Sequence, residues 1–140
     1  MNPLAFAIIG AISFGLWTVF HKLASPYINQ VFGAIIVSAS AVVAGLIVLL
    51  PRLKQTELFT DYRGILFVIL AGILAFFIDF FALKAYSAGL PLTTGGPIII
   101  GGSIAVASLI GILLGDPLSP LKVAALLLLT AGAALLVYVG

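Results

Sequence analysis

The chain has no cysteine, one histidine, one tryptophan and one methionine, and only 6 basic and 4 acidic residues among 140. Without thiols, disulfides and thiolate metal sites are excluded, and cysteine usage says nothing about the redox compartment. A lone histidine excludes a histidine-only metal site within one chain. Charged residues make up 7% of the sequence, against roughly a quarter in a soluble domain. Too few polar side chains are present to cover a water-facing surface. The net charge of +2 rests on so few groups that it gives no basis for binding nucleic acid. No cofactor, metal or nucleic-acid partner is expected.

What is present is hydrocarbon: 64% of the residues are hydrophobic, with a mean hydropathy of +1.39. Five apolar runs, about 3–24, 31–50, 64–86, 92–114 and 121–139, each approach the ~20 residues that span a bilayer core. The expectation is an all-α integral membrane protein, a five-transmembrane-helix bundle forming a single domain over residues 1–140. The first run is read as a span, not a cleaved signal peptide, because no basic side chain precedes it and four further runs follow. Short connections make sequential runs antiparallel neighbours, and only residues 51–63 form a polar loop of any length. With five spans the termini lie on opposite sides. Arg52, Lys54, Arg63 and Lys122 fall on the N-terminal side and only Lys22 and Lys84 on the other. The excess favours a multi-pass protein of the cell (inner) membrane with a cytoplasmic N-terminus.

Small residues let helices approach closely in lipid. In the second run Ala34, Ser38, Ala41 and Gly45 share one helical face. In the fourth, Gly111 and Gly115 lie four apart, with Gly101, Ala105 and Ser108 in a similar stripe. The fifth run is nearly featureless and is expected to pack or face lipid.

Polar residues inside the runs are the candidate functional groups. Asp79 stands within "AFFIDFFALK", where a carboxylate costs about 2.5–3.5 kcal/mol on insertion scales. Such residues are rare and tend to mark ion or proton paths. The alternative is that Asp79 reaches water near an interface, or pairs with Lys84 or Lys22. Its helical neighbours include Gly72, Ala75, Phe76, Leu83 and Tyr86. In the first run Ser13, Trp17 and His21 succeed one another at intervals of four. Trp17 reads as an aromatic wall or an interfacial anchor, and His21 as a proton carrier. The stretch "TTGGPIIIGGS" holds four glycines and a proline in the fourth run. Two readings remain open. Thr94, Gly95, Gly96 and Pro97 either break the helix toward the interior, freeing polar backbone for solute, or the glycines end a loop and Pro97 starts the helix.

The order of these features resembles the EamA-like domain of the drug/metabolite transporter superfamily over essentially the whole length. The likeness is carried by "FGLWTVFHKLASP", "FFALKAYSAGLPLTTGGPIIIGGS" and "GILLGDPLSPLKVAALLLLTAGAALLV", with Gly115-Asp116 where relatives commonly have Gly-Glu. The resemblance implies a five-helix repeat, of which typical members carry two in inverted orientation around a solute cavity. This chain has one repeat. A partner repeat is therefore expected, either a second copy in a homodimer, antiparallel in the membrane, or a different chain in a heterodimer. Smaller relatives with four spans depend on a glutamate in the first helix; no acid occurs there in this chain.

The expected function is that of a half-size secondary transporter for small organic metabolites or drugs, working by alternating access. Ser13, Trp17, His21, Tyr86, Thr94, Gly95, Gly96 and Pro97 are the expected substrate-binding residues, along the first, third and fourth runs. Asp79 is the expected coupling residue for an ion or proton. A non-transporting membrane subunit of a larger complex is the alternative. Enzymatic activity is not expected, for want of a metal cluster, paired carboxylates or an activated nucleophile within the runs. The charge bias predicts that a single cysteine introduced by Lys54→Cys is labelled by a membrane-impermeant maleimide only from the cytoplasmic side. Labelling only from outside would refute this topology, and labelling from both sides would mean dual insertion.

Overall fold

An apolar segment in hydrocarbon must bond every backbone N–H and C=O internally, which a helix does within the segment itself. The structure, a computed structural model, describes residues 2–55, 58 and 61–139. Among them are five α-helices: α1 (Pro3–Ala24), α2 (Gln30–Leu49), α3 (Tyr62–Ser87), α4 (Leu92–Leu113) and α5 (Pro120–Val139). All five are long and apolar enough to cross a membrane, and no strand occurs among the described residues. Residues 51–55, read from sequence as loop, instead belong to a 3₁₀ helix, Leu50–Gln55, that prolongs α2. The remainder of that polar segment includes residues 56, 57, 59 and 60, which lie outside the described residues.

The helix starts follow from local chemistry. Asn29 caps α2 by accepting from the N–H groups of Val31 and Phe32, and Asp61 caps α3 by accepting from that of Arg63. Asn2 accepts from Leu4 N–H, and Ser119 from Lys122 N–H. In these last two cases a proline follows at the first helical position, where no N–H is needed. At the other end, Gly89 and Gly115 adopt φ of +98° and +93°, the left-handed region that ends helices.

The chain sorts into two compact units, Phe20–Ala88 and Met1–Val19 with Gly89–Gly140. In the first, α2 packs on α3. Gly33 is the point of closest approach: a Cβ there would lie 2.6 Å from Cδ1 of Leu83. Ala34 is buried beside it, whereas Ala41 and Gly45, placed by sequence on the same packing stripe, are exposed. Only the N-terminal end of that stripe is a contact. Gln30 also donates to the hydroxyl of Ser87, tying the start of α2 to the end of α3.

In the second unit α4 packs on α5. Neither sequence reading of "TTGGPIIIGGS" holds. α4 begins at Leu92, after Pro91 as N-cap, and passes through Pro97 as one α-helix. Pro91 O accepts from both Thr94 and Gly95 N–H, so the first turn is closed before the proline is reached. Pro97 then withholds a single bond, the one Thr93 O would accept. Gly95 and Gly96 precede it without side chains to crowd the ring.

The expected Gly111–Gly115 packing pair is also not one. Gly115 lies past the helix end and turns the chain. Asp116 N–H bonds back to Gly111 O at 3.0 Å and Gly115 N–H to Ile112 O at 3.1 Å. The Asp116 carboxylate then lies over Gly111, 2.7 Å from where a Cβ would be. Lys122 Nζ donates to Pro117 O across the same turn.

Gly101 and Gly102 separate two roles that sequence left together. A Cβ on Gly101 would stand 2.5 Å from Cβ of Ala133 on α5, whereas one on Gly102 meets nothing within 4 Å. Gly101→Leu is therefore expected to destabilise the α4–α5 pair by about 1–3 kcal/mol through overpacking. Gly102→Leu should be neutral or stabilising by up to about 1 kcal/mol, since leucine is the better helix former. Unfolding of each variant in mixed micelles checks this, and equal stabilities would refute the contact.

Candidate functional site

Asp79 projects from α3 about two turns before its C-terminal end, and His21 sits in the last turn of α1. The structure brings them together: Nε2 of His21 lies 3.0 Å from Oδ1 of Asp79. The two make a close polar contact, off the line of an aligned hydrogen bond. Both are buried, at 4% and 5% exposure. The sequence points to water, Lys84 or Lys22 as partners for the acid and does not reveal the histidine. Lys84 is exposed and lies over the Phe80 ring, 5.7 Å from its centroid.

Two further groups meet on the same two helices, toward the end of α3. Lys22 donates from Nζ to the carbonyl of Tyr86 at 3.4 Å and stands 5.7 Å from the centroid of that ring. A cation there also meets the negative end of the α3 dipole. Tyr86 is 2% exposed, and its hydroxyl has no hydrogen-bond partner among the described residues. Asp79, Ala82, Leu83 and Tyr86 are all buried, a helical face of three- and four-residue steps. Of the other neighbours expected around Asp79, Gly72 and Ala75 are exposed and Phe76 is half-buried. The occupied face is thus the C-terminal half of α3 alone.

Several short hydroxyls bond within their own helices. Thr18 donates to Phe14 O and Gly15 O, Ser25 to Lys22 O, Ser13 to Ile9 O and Thr130 to Leu126 O. Serine and threonine reach their own helix's carbonyls in this way. A tyrosine hydroxyl, at the end of a rigid ring, does not. That is the physical reason the Tyr86 hydroxyl, unlike these, is left with unmet bonding capacity.

The other sequence candidates lie in the second unit. Ser13 is exposed. Trp17 is half-buried and stacks on Phe14, with ring centroids 5.1 Å apart and planes 6° from parallel. Thr94, Gly95 and Gly96 are buried and Pro97 is half-buried, all within continuous helix. Among the described residues, no three His, Cys, Asp or Glu side chains gather as a metal site would need. Comparison with family models, with curated proteins and with solved structures gives no match for this chain.

If His21 and Asp79 are energetically linked, the two substitutions will not add. Neighbours in one charge network show coupling of roughly 0.5–3 kcal/mol. His21→Leu, Asp79→Leu and the double variant form the cycle, with stability in mixed micelles as the readout. A coupling of zero would reduce the pair to coincidental neighbours.

Proposed function

We propose that this chain is a membrane-spanning half of a secondary transporter for small organic solutes, of the EamA-like type that its sequence resembles. The observation that supports it best is the buried His21–Asp79 pair, with a further buried polar group, the Tyr86 hydroxyl, two turns beyond Asp79 on α3. A buried polar or charged pair adds little net stability over apolar side chains of equal volume, because desolvation offsets the attraction. Stability is thus a poor reason to keep an acid and an imidazole inside a chain with so few charges. Function is the better one. A pair able to lose or gain a proton suits coupling, and a hydroxyl with free capacity suits a polar solute.

On this reading Asp79 is the coupling residue and His21 its partner, while Tyr86 contacts the solute. Trp17 lies one turn before His21 on α1 and is assigned to solute contact by the sequence resemblance. The chain sits in the inner membrane with its N-terminus in the cytoplasm. It works by alternating access together with a second five-helix repeat, a copy of itself or another chain. It is not an enzyme.

The test is uptake into proteoliposomes containing this chain alone, with a panel of radiolabelled amino acids, organic amines and organic acids. Saturable uptake of at least one solute is expected, lost in Asp79→Asn and weakened in Tyr86→Phe. Tyr86→Phe removes a hydroxyl without a partner, so its fold should be as stable as the parent's or more so. No uptake of any solute would favour a non-transporting subunit. Uptake unchanged in Asp79→Asn would take the coupling role from Asp79.

A further inference from the structure

α3 is gripped in two different ways by its neighbours in the Phe20–Ala88 unit. α2 meets it where Leu83 lies on Gly33, a contact without ionisable groups. The end of α1 meets it through side chains that carry or can carry charge. His21 reaches Asp79 at 3.0 Å, and Lys22, the next residue, reaches the carbonyl of Tyr86 at 3.4 Å, two turns further along α3. Ser25 N–H bonds to His21 O, so the backbone that presents both side chains is closed helix.

Few ionisable groups bear on the His21–Asp79 pair. α1 adds Lys22, and α3 adds Tyr86 and the exposed Lys84 over the Phe80 ring. Tyr62 and Arg63 stand at the other end of α3, about 24 Å or more along the axis at 1.5 Å per residue. α2 and α4 contain no ionisable side chain, and Asp79 is the one acid within the five helices. With one exchangeable proton or none on the pair, no imidazolium stands without a carboxylate against it. A second proton leaves an imidazolium facing a neutral carboxyl, a buried charge without a counter-charge. The Lys22 ammonium, on the adjacent residue, then adds repulsion.

We propose that the His21–Asp79 contact is a pH-sensitive latch, which holds the end of α1 on α3 until both groups are protonated and then releases it. This deepens the reading of the pair as a coupling site, and rests on that reading for what the motion would serve. The sign follows from linkage. Water reaches the imidazolium in the released state, so that state binds the second proton more tightly and acid favours it.

The chain has no cysteine, so two introduced cysteines carry spin labels at chosen places alone. Leu23→Cys on α1 with Phe81→Cys on α3 replaces exposed side chains and reports the latch. Ile35→Cys on α2, also exposed, with Phe81→Cys reports the apolar contact. Label-to-label distances are measured by pulsed electron resonance on the full chain in liposomes at about pH 8 and about pH 4.5. For the first pair the ratio of longer to shorter distances is expected to rise about tenfold in acid, as when the released state binds the second proton ten times more tightly. The second pair should keep its distance. Asp79→Asn leaves the imidazolium without a counter-charge from the first proton on, so release should come at higher pH than in the parent. His21→Leu/Asp79→Leu should abolish the response, and Lys84→Gln should leave it intact.

Identical distances for the first pair at both pH values would overturn the latch, whether or not any variant folds. So would an equal change in the second pair, which would mean general loosening, or a response that survives in His21→Leu/Asp79→Leu. Solute uptake is a separate readout. Distances that ignore pH, with uptake intact, sink this inference and leave the transporter reading standing; a working latch without uptake does the reverse.

Discussion

A carboxylate surrounded by hydrocarbon has no solvent to share its charge with, and the arrangement around Asp79 answers to that constraint. His21 stands against it, and Lys22 covers the carbonyl of Tyr86 at the nearby end of α3. The same constraint orders the rest of the molecule. Buried side chains include Thr18, His21, Ser25, Asp79 and Thr94, while leucines, isoleucines and phenylalanines along every helix point outward. In water such a distribution would be unstable, since burying apolar surface is what drives folding there. In a bilayer the outside is already apolar, and the polar groups are what must be gathered in.

Packing then depends on closeness of backbone more than on bulk. α2 meets α3 where Leu83 lies on Gly33, and α4 meets α5 where Ala133 lies on Gly101. Each contact needs an absent side chain at one position. Other glycines, such as Gly10, Gly72, Gly102 and Gly132, face open space and set no such limit. A small residue is thus permission for contact and not evidence of it.

The five helices were legible because hydropathy and length report the same thing that lipid requires, and capping residues such as Asn29, Asp61 and Ser119 mark the starts. The site was only half legible. Asp79 and His21 each stood out as polar groups in apolar runs, yet nothing local in sequence joins residues on α1 and α3. Their meeting depends on which faces of two helices turn together. The course of α4 was misread for a different reason. Proline and glycine propensities describe an isolated helix, and in α4 the Pro91 carbonyl closes the first turn, so that Pro97 subtracts one bond from a helix already under way. Gly115 escaped similarly: a spacing of four from Gly111 looks like a packing motif until the left-handed backbone shows that the helix has ended.

The turn between α4 and α5 binds those helices into a hairpin. Its returning N–H groups, its Ser119 cap and the Lys122 side chain leave little backbone that an alternative path could use. For a membrane-spanning chain this bears on biogenesis. If both helices cross a bilayer, a turn this short keeps α5 antiparallel to α4. A bilayer would then receive the hairpin in one sense or the other as a whole, and a reversed copy would be reversed throughout it.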